Sequence, residues 1–149
     1  MGAVYGPRPM ARDAHLDHLS SISLFSALSR KELQRVARAS DTVEVKEGHE
    51  LTRQGDVGRE MFVIVNGTAT VKRNGRKIGT AGPGDAIGEL SLLDKGPRTA
   101  TITADGPTTV LVLGAREFAG VLDEVPGIAH KIMSALAGRV RELDTQIYG

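Results

Sequence analysis

The spacing of hydrophobic positions along the chain changes twice, which divides the sequence into a helical start, a strand-rich middle and a helical end. From about Asp13 to Ser40, apolar residues recur at short helical spacings. Ser29 and Glu32 match the capping box that begins a helix, just before Leu33. We therefore predict one or two short helices in this first part.

Short runs of alternating apolar and polar residues, bounded by glycine turns, fill the middle of the chain. Such runs are typical of β-strands. Asn66-Gly67 and Asn74-Gly75 each have the composition of a type I′ hairpin turn, so together they predict an antiparallel meander. The seven or eight strands of this region predict a mainly β fold, an eight-stranded β jelly-roll or barrel with flanking helices.

The last third of the chain is helical in pattern, with a short segment over Arg116 to Leu122 and a longer one after Pro126. The longer segment carries an apolar stripe with helical spacing. Its members are Ile128, Ile132, Leu136, Val140, Leu143 and Ile147. A stripe of this kind usually packs on the domain's own sheet, and a dimer seam or a lid over a ligand are the alternatives.

The composition of the chain argues against several classes of function. The 149 residues carry a net charge of +1, so there is no overall positive field to attract nucleic acid or an anionic membrane. The chain has no cysteine, which excludes disulfides and thiolate chemistry, and no apolar run of membrane-spanning length. We expect a flexible tail over residues 1–12, a single domain over 13–149 and a cytoplasmic location, since the N-terminus lacks a secretory signal.

The candidate chemistry is concentrated between two predicted strands, from Gly82 to Thr101. Glycines allow tight turns there, and Glu89 begins a stretch long enough for about one helical turn, whose free amides attract an anion. Arg98 adds a guanidinium and Thr99 a hydroxyl for the same anion. The Glu89 carboxylate repels a highly charged phosphate but accepts hydrogen bonds from sugar hydroxyls, so the pattern predicts a small sugar phosphate of low charge.

This segment resembles the phosphate-binding cassette of cyclic nucleotide-binding domains. The resemblance is carried by Gly88-Glu89-Leu90-Ser91-Leu92-Leu93 and Pro97-Arg98-Thr99-Ala100-Thr101, and it extends over other turns and helices from about Leu24 to Leu122. It implies that Glu89 holds the ribose 2′-hydroxyl and Arg98 pairs with the cyclic phosphate. It also implies that the amides of Leu90 and Ser91 donate to that phosphate, with Gly88, Thr99 and Ala100 completing the site. A short cassette helix and C-terminal hinge and lid helices are expected with it.

The resemblance implies cAMP as the ligand, with cGMP as a second possibility because Thr99 is compatible with both. We expect the empty site to leave Arg98 and the cassette amides unpaired. The ligand would then pull the Gly88–Leu93 turn inward and shift Leu92 against the helix that carries Phe118, so that the C-terminal helix swings.

Other functional classes find less support in the sequence. The four histidines form no metal-ligand motif, and neither a phosphate loop nor a nucleophile elbow is present, so we expect no metal, no cofactor and no enzymatic activity. Nucleic acid and membranes are not expected as partners. Two alternatives remain, a ligand-sensing fragment of a larger transcription regulator or enzyme, and a scaffold of the same fold that binds no ligand. In each case, a homodimer or a partner protein would use the helix face from Ile128 to Ile147.

Overall fold

A computed structural model describes the backbone of residues 3–5 and 9–148 and the side chains of residues 15–147. Its described residues form nine strands: β1 (Ala3–Tyr5), β2 (Asp41–Val45), β3 (Glu50–Thr52), β4 (Glu60–Asn66), β5 (Ala69–Arg73), β6 (Arg76–Ala81), β7 (Ala86–Ile87), β8 (Thr101–Ala104) and β9 (Thr108–Gly114). The helices are α1 (Pro9–Ser20), α2 (Arg30–Arg38), α3 (Ala115–Glu124) and α4 (Pro126–Tyr148). Two 3₁₀ turns, Ser23–Phe25 and Glu89–Leu92, complete the fold.

The strands form two antiparallel sheets that pack face to face. One sheet has the order β1-β2-β9-β4-β7 and the other has the order β3-β8-β5-β6. Without the short β1, each sheet contributes four strands. The predicted eight-stranded β fold with helices at both ends of the chain is therefore confirmed.

Strand β4 shows how the sequence builds two cores from one strand. Successive side chains of a strand point to opposite faces of the sheet. Met61 and Val63 pack under the helices, whereas Phe62 and Ile64 point between the two sheets. Because both faces are covered, the run is apolar throughout instead of alternating. The molecule thus has three layers, the helices, the five-stranded sheet and the four-stranded sheet.

The two predicted hairpin turns have different outcomes. At Asn74-Gly75 both residues have positive φ, 53° and 78°, and Arg73 pairs with Arg76 across a two-residue turn, as a type I′ hairpin requires. The hairpin predicted at Asn66-Gly67 is wrong, because β4 and β5 belong to different sheets. Only Gly67 of that pair has positive φ, and the chain there crosses from one sheet to the other. The predicted meander is therefore limited to β5 and β6.

The N-terminal helices follow the predicted pattern. The Ser29 side chain accepts from the Glu32 amide and the Glu32 carboxylate accepts from the Ser29 amide, so the capping box of α2 is confirmed. Part of the predicted tail, residues 1–2 and 6–8, lies outside the described residues. Of the rest, Ala3–Tyr5 pair with β2 and α1 begins at Pro9. The division into a tail and a domain stays a prediction.

Helix α4 buries only the first part of its apolar stripe. Ile128 and Ile132 join the core under the helices, whereas Val140, Leu143 and Ile147 are 66, 59 and 71% exposed. The stripe as a whole therefore does not pack on the domain's own sheet. The first part of α4 also forms an ion pair, from Lys131 to Glu32 of α2.

Two ion pairs attach α2 to the helices that follow the sheets. Lys131 of α4 donates to Glu32 of α2, and Arg35 of α2 pairs with Glu124 at the end of α3. Both pairs lie close to the junction of α3 and α4, so they help to fix the direction of α4 relative to the other helices.

Of the helices described, none is long and apolar enough to cross a membrane. The cytoplasmic location stays a prediction.

Candidate functional site

The predicted cassette lies between β7 and β8 and begins with a left-handed glycine. Gly88 has φ of +71°, a conformation that side chains disfavour, and it turns the chain from β7 into the 3₁₀ turn Glu89–Leu92. The short strand β7, which pairs with β4, was not predicted. Only Ala86 and Ile87 form it, too few residues for an alternating pattern to be visible in the sequence.

A cavity of about 360 Å³ opens beside this turn. All seven residues predicted for the site line it: Gly88, Glu89, Leu90, Ser91, Arg98, Thr99 and Ala100. Its walls also include Thr52, Ile87 and Ile102 from neighbouring strands. The volume is in the range of pockets that hold small organic ligands. The fold thus adds to the predicted segment wall residues that are distant in sequence, such as Thr52.

Arg98 is the most enclosed charged group of the cavity. Its side chain is only 7% exposed, yet its donors are well used. Nη1 donates to the Ser91 hydroxyl at 3.0 Å, and Nη2 donates to the carbonyl and the carboxylate of Glu60 at 2.8 and 3.1 Å. The guanidinium also lies 5.8 Å from the centre of the Phe62 ring, within the range of a cation–π contact.

Two glycines make room for this guanidinium. A Cβ atom at Gly88 would lie 2.0 Å from Nη1 of Arg98, and one at Gly58 would lie 2.9 Å from its Cζ. A Cβ at Gly58 would also lie 2.3 Å from the Ser91 hydroxyl. Neither position can therefore accept a side chain unless Arg98 moves.

The backbone of Arg98 is fixed from the opposite side of the loop. Its amide donates to the Asp56 carbonyl at 2.7 Å, and its carbonyl accepts from the Gly55 amide at 2.9 Å. The residue before Arg98, Pro97, forms an isolated antiparallel β-bridge with Val57. The turn before β4 and the end of the cassette therefore hold each other, and this contact sets the position from which the guanidinium enters the cavity.

Glu89 is held more loosely. Its side chain is 25% exposed, and its carboxylate lies 3.5 Å from Nη1 of Arg139, which comes from α4. That nitrogen is itself buried and has no hydrogen-bond partner among the described residues. The long C-terminal helix thus reaches the cavity through one weak ion pair.

Two expectations about the empty site do not hold. Arg98 is not unpaired, because Glu60 and Ser91 occupy its donors. The Ser91 amide is not free either, since it donates to the Gly88 carbonyl at 3.0 Å and closes the 3₁₀ turn. A one-turn helix in this tight form uses part of its own donors, which the sequence pattern does not reveal. The expectation for the Leu90 amide stays a prediction. A ligand must therefore compete with contacts that are already made.

The comparison with known families decides what kind of domain this is. A sequence model described as "Cyclic nucleotide-binding domain" matches residues 42–125, which is more than half of the chain. The chain belongs to this family. The match includes β2 through α3, and so contains the whole cavity.

Relatives of this cyclic nucleotide-binding domain include two named proteins. The Cyclic AMP receptor protein of Thermus thermophilus is 29% identical over 129 residues, covering 83% of this chain and 60% of the relative. The cAMP-dependent protein kinase regulatory subunit of Mucor circinelloides f. lusitanicus is 34% identical over 117 residues, covering 76% of this chain and 27% of the relative. The chain therefore spans less than two thirds of the length of either protein.

A similar fold is found in a solved structure, the N-terminal domain of a transcriptional regulator from Streptomyces coelicolor A3(2). It superposes with a TM-score of 0.80 at 33% identity, covering 87% of this chain and 96% of that one. The similarity extends beyond the sheets, since so large a share of both chains is matched.

Sequence reasoning missed three features that lie beside the cavity, outside its lining, and that position its residues. These are the carboxylate of Glu60, the guanidinium of Arg139 and the space above Gly58. Glu60 begins an apolar strand and Arg139 lies between exposed helical positions, so neither has a local pattern that marks it. Gly58 follows the Gly55-Asp56 turn and looks like another turn glycine, although its φ is not positive.

Leu92 lies where the resemblance placed it, inside the core. It is buried in the same apolar cluster as Phe118 of α3, whose ring lies 5.8 Å from that of Phe25. A movement of the cassette turn would therefore disturb the packing under the helices.

Among the described residues, no group of three His, Asp or Glu side chains is placed to hold a metal ion.

Proposed function

We propose that this domain binds a purine 3′,5′-cyclic nucleotide, with cAMP ahead of cGMP, and acts as a non-catalytic regulatory domain. The observation that carries the proposal is Arg98, a nearly enclosed guanidinium at a cavity that all seven predicted residues line. Both relatives named above are cAMP proteins by name, which supports cAMP as the first ligand to test.

The charges of the pocket fit a ligand of low charge. Arg98 brings a positive charge to the lining of the cavity, and Glu89 and Asp94 bring two negative charges. Glu60 and Arg139 pair with Arg98 and Glu89 from outside this lining. A cyclic phosphate diester brings one more negative charge, which the guanidinium of Arg98 can receive through a pair of parallel donors. A phosphate monoester brings nearly two, and the two carboxylates oppose it. This balance favours a cyclic nucleotide over its hydrolysed product.

The proposed mechanism starts from the contacts that the ligand must replace. The phosphate takes donors of Arg98 that Glu60 and Ser91 now share, and the ribose 2′-hydroxyl donates to Glu89. Drawing the cassette turn toward the ligand moves Leu92 in the core beside Phe118. Glu89 moves with the turn and carries the contact to Arg139, so α4 changes position. The ligand drives this only as far as it binds the moved form more tightly.

A second assignment concerns the whole protein. The solved structure matched over 96% of its length is the N-terminal domain of a transcriptional regulator, and the chain spans 60% of the Thermus relative. These matches support a ligand-sensing domain of a larger regulator as the second candidate. A partner or a second copy on the exposed end of α4 stays part of either proposal.

The test is calorimetric titration of the protein with cAMP, cGMP and AMP, beside thermal unfolding with each. A nucleotide at about a hundred times its Kd adds about 2.7 kcal/mol to the free energy of unfolding. Arg98→Ala should lose on the order of 2–5 kcal/mol of binding, because it removes the charge that meets the phosphate. Arg98→Lys keeps that charge without the planar fork and should be intermediate.

The matched control is Arg53→Ala, which removes an exposed arginine paired only with Glu50. It should bind like the wild type. If the wild type binds no cyclic nucleotide, the domain is a scaffold of the same fold and the proposal is wrong. If Arg98→Ala binds as the wild type does, the ligand lies elsewhere.

A further inference from the structure

The hairpin of β5 and β6 concentrates positive charge at its tip. Lys72, Arg73, Arg76 and Lys77 surround the turn at Asn74-Gly75, and all four are exposed. We name these four residues the basic hairpin. None of them forms a salt bridge within the part of the chain that the structure describes. The whole chain has a net charge of only +1, so this cluster is a local feature.

The strand register places like charges directly opposite each other. Lys72 pairs with Lys77, and Arg73 pairs with Arg76. Like charges in directly opposite positions destabilise a sheet. Two such pairs in succession therefore lower the stability of the hairpin. No salt bridge among the described residues offsets them, although the charge of Asp105 acts on Lys77.

Protection of a sheet edge explains only half of this arrangement. Strand β6 is an edge strand, and lysine on an edge discourages pairing with another chain. Strand β5 lies inside the sheet between β6 and β8, so Lys72 and Arg73 protect no edge. The charges on β5 require another reason.

The tip is held firmly, as a recognition surface requires. The Gln54 side-chain amide donates to the Asn74 side chain at 2.8 Å, and its oxygen accepts from the Asn74 amide at 2.8 Å. Arg73 donates to the Thr99 carbonyl at 3.1 Å. These contacts fix the turn against the rest of the domain, so the backbone that carries the cations is already ordered before a partner binds.

The surroundings of the basic hairpin define the size and kind of partner. Asp105 lies close enough to Lys77 for their charges to interact, and Glu50 holds Arg53 beside Gln54. A long polyanion would run over these carboxylates, whereas a short acidic segment meets only the four cations. None of the described strands pairs with the outer edge of β6, so an extended segment can use the backbone groups of that edge.

We propose that the basic hairpin docks a short, extended, acidic segment of a partner protein. The carboxylates of that segment take the place of the missing counter-charges, and its backbone adds along β6. None of its four residues lines the cavity, and its one link to the cavity is the bond from Arg73 to the Thr99 carbonyl, which the test variant keeps.

The probe is a fluorescently labelled hexaglutamate peptide, measured by anisotropy at about 0.05 and about 0.15 M salt, with hexaglutamine as the neutral comparison. The test variant is the triple substitution K72Q, R76Q and K77Q, which leaves Arg73 and its bond to Thr99 in place. The control is the triple substitution K46Q, R116Q and R141Q, which removes the same charge from exposed positions elsewhere. Circular dichroism confirms that both variants are folded.

We expect the wild type to bind hexaglutamate saturably. We expect the affinity of the hairpin variant to be lower by about tenfold or more. The control should change affinity by no more than about twofold, since distant exposed charges are screened. The hairpin variant should also melt at a higher temperature than the wild type, because both like-charge pairs are relieved. Equal losses in the two variants would overturn the proposal, as would the absence of saturable binding. A single-stranded oligonucleotide with six phosphates that binds as tightly as the peptide would also overturn it, in favour of nucleic acid.

Discussion

The two ends of the cavity are held in different ways. At one end, Arg98 is 7% exposed and is fixed by Glu60, Ser91 and the backbone of the turn before β4. At the other end, Glu89 is 25% exposed and meets only Arg139, at 3.5 Å, from a helix whose far half is exposed. The first end is complete within the sheets and their loops. The second end depends on where α4 lies.

This difference assigns separate tasks to the two ends. A guanidinium that the protein already holds in place needs little further ordering to meet a ligand, although the ligand has to replace part of its contacts with Glu60 and Ser91. At the other end, the contact of Glu89 depends on Arg139, so a change at Glu89 is coupled to the position of α4. We therefore expect changes at the Arg98 end to alter how tightly the ligand binds, and changes at the Glu89 end to alter what binding does to α4.

After Arg98 itself, the largest effect is expected at Gly88. Alanine there places a Cβ atom 2.0 Å from Nη1 of Arg98 and strains a residue with φ of +71°. Since the guanidinium must move away, Gly88→Ala should weaken cyclic nucleotide binding by about tenfold or more, and should cost on the order of 1 kcal/mol of stability. Calorimetry and thermal unfolding measure the two effects.

Gly79→Ala is the matched control, because nothing lies within 4 Å of its Cβ and its φ is not positive. It should retain wild-type affinity. Wild-type affinity in Gly88→Ala would show that the close approach of Gly88 and Arg98 is not required for binding.

The next effect concerns the counter-charge of Arg98. Glu60→Gln keeps an acceptor for Nη2 but removes the negative charge that the ligand phosphate must face. We expect affinity for cAMP to rise by roughly threefold to tenfold, which is at most about 1.4 kcal/mol because Glu60 is partly exposed. The ligand-free protein should melt at a lower temperature, since a buried guanidinium loses its ion pair.

Glu60→Ala distinguishes charge from positioning, because it removes the acceptor as well. If Glu60 mainly orients Arg98, Glu60→Ala will bind more weakly than the wild type and Glu60→Gln will bind about as tightly as the wild type. That result would contradict the view that Glu60 and the phosphate compete for the same donors.

A smaller change in affinity is expected at the other end. Arg139→Gln removes an ion pair that is partly exposed, so binding should weaken by no more than about threefold. Its main consequence should be on α4. In hydrogen exchange, ligand should alter the protection of α4 in the wild type but not in this variant. Arg141→Gln, two residues further along α4, is the control and should behave like the wild type, whereas an unchanged α4 response in Arg139→Gln would separate α4 from the cavity.

The smallest effect lies outside both ends, in the helical layer. Burial, and then the charge of His18, lower the pKa of His15 below its ordinary 6.5. The hydrogen bond from Lys131, and then that from the Ser29 amide, lower the pKa of Glu32 below its ordinary 4.5. A group whose pKa is lower in the folded state stabilises the fold above its unfolded pKa and loses that contribution as the pH falls.

Stability should therefore decrease in two steps on acidification, the first below about pH 6.5 from His15 and the second below about pH 4.5 from Glu32. Urea unfolding across this range measures both steps. His15→Gln should remove the first and Lys131→Met should reduce the second. A first step that persists in His15→Gln would belong to another group.

Much of the fold was predictable because its signals are local. The capping box of α2 lies within four residues, and the turn at Asn74-Gly75 within two. The error at Asn66-Gly67 arose because the same dipeptide fits a crossing between sheets. Which of the two occurs depends on the burial of both faces of β4, a property of the assembled layers that no local pattern contains.

The candidate site shows the same difference between residues of a local motif and residues that are distant in sequence. Arg98 and Glu89 belong to a compact motif and were identified from the sequence, and the structure places both at one cavity. Their partners, Glu60 and Arg139, come from β4 and α4, so only the folded chain brings them close. The expectation that Arg98 is unpaired failed for this reason, because an enclosed charge finds a counter-charge wherever the fold supplies one.

The most direct measurement of the central claim is a crystal structure of the protein with cAMP. The account predicts that the phosphorus lies against the guanidinium of Arg98, that the ribose 2′-hydroxyl is hydrogen-bonded to Glu89, and that Glu60 has lost part of its contact with Nη2. A nucleotide bound outside the cavity, or one in the cavity whose phosphate points away from an Arg98 still paired with Glu60, would contradict it.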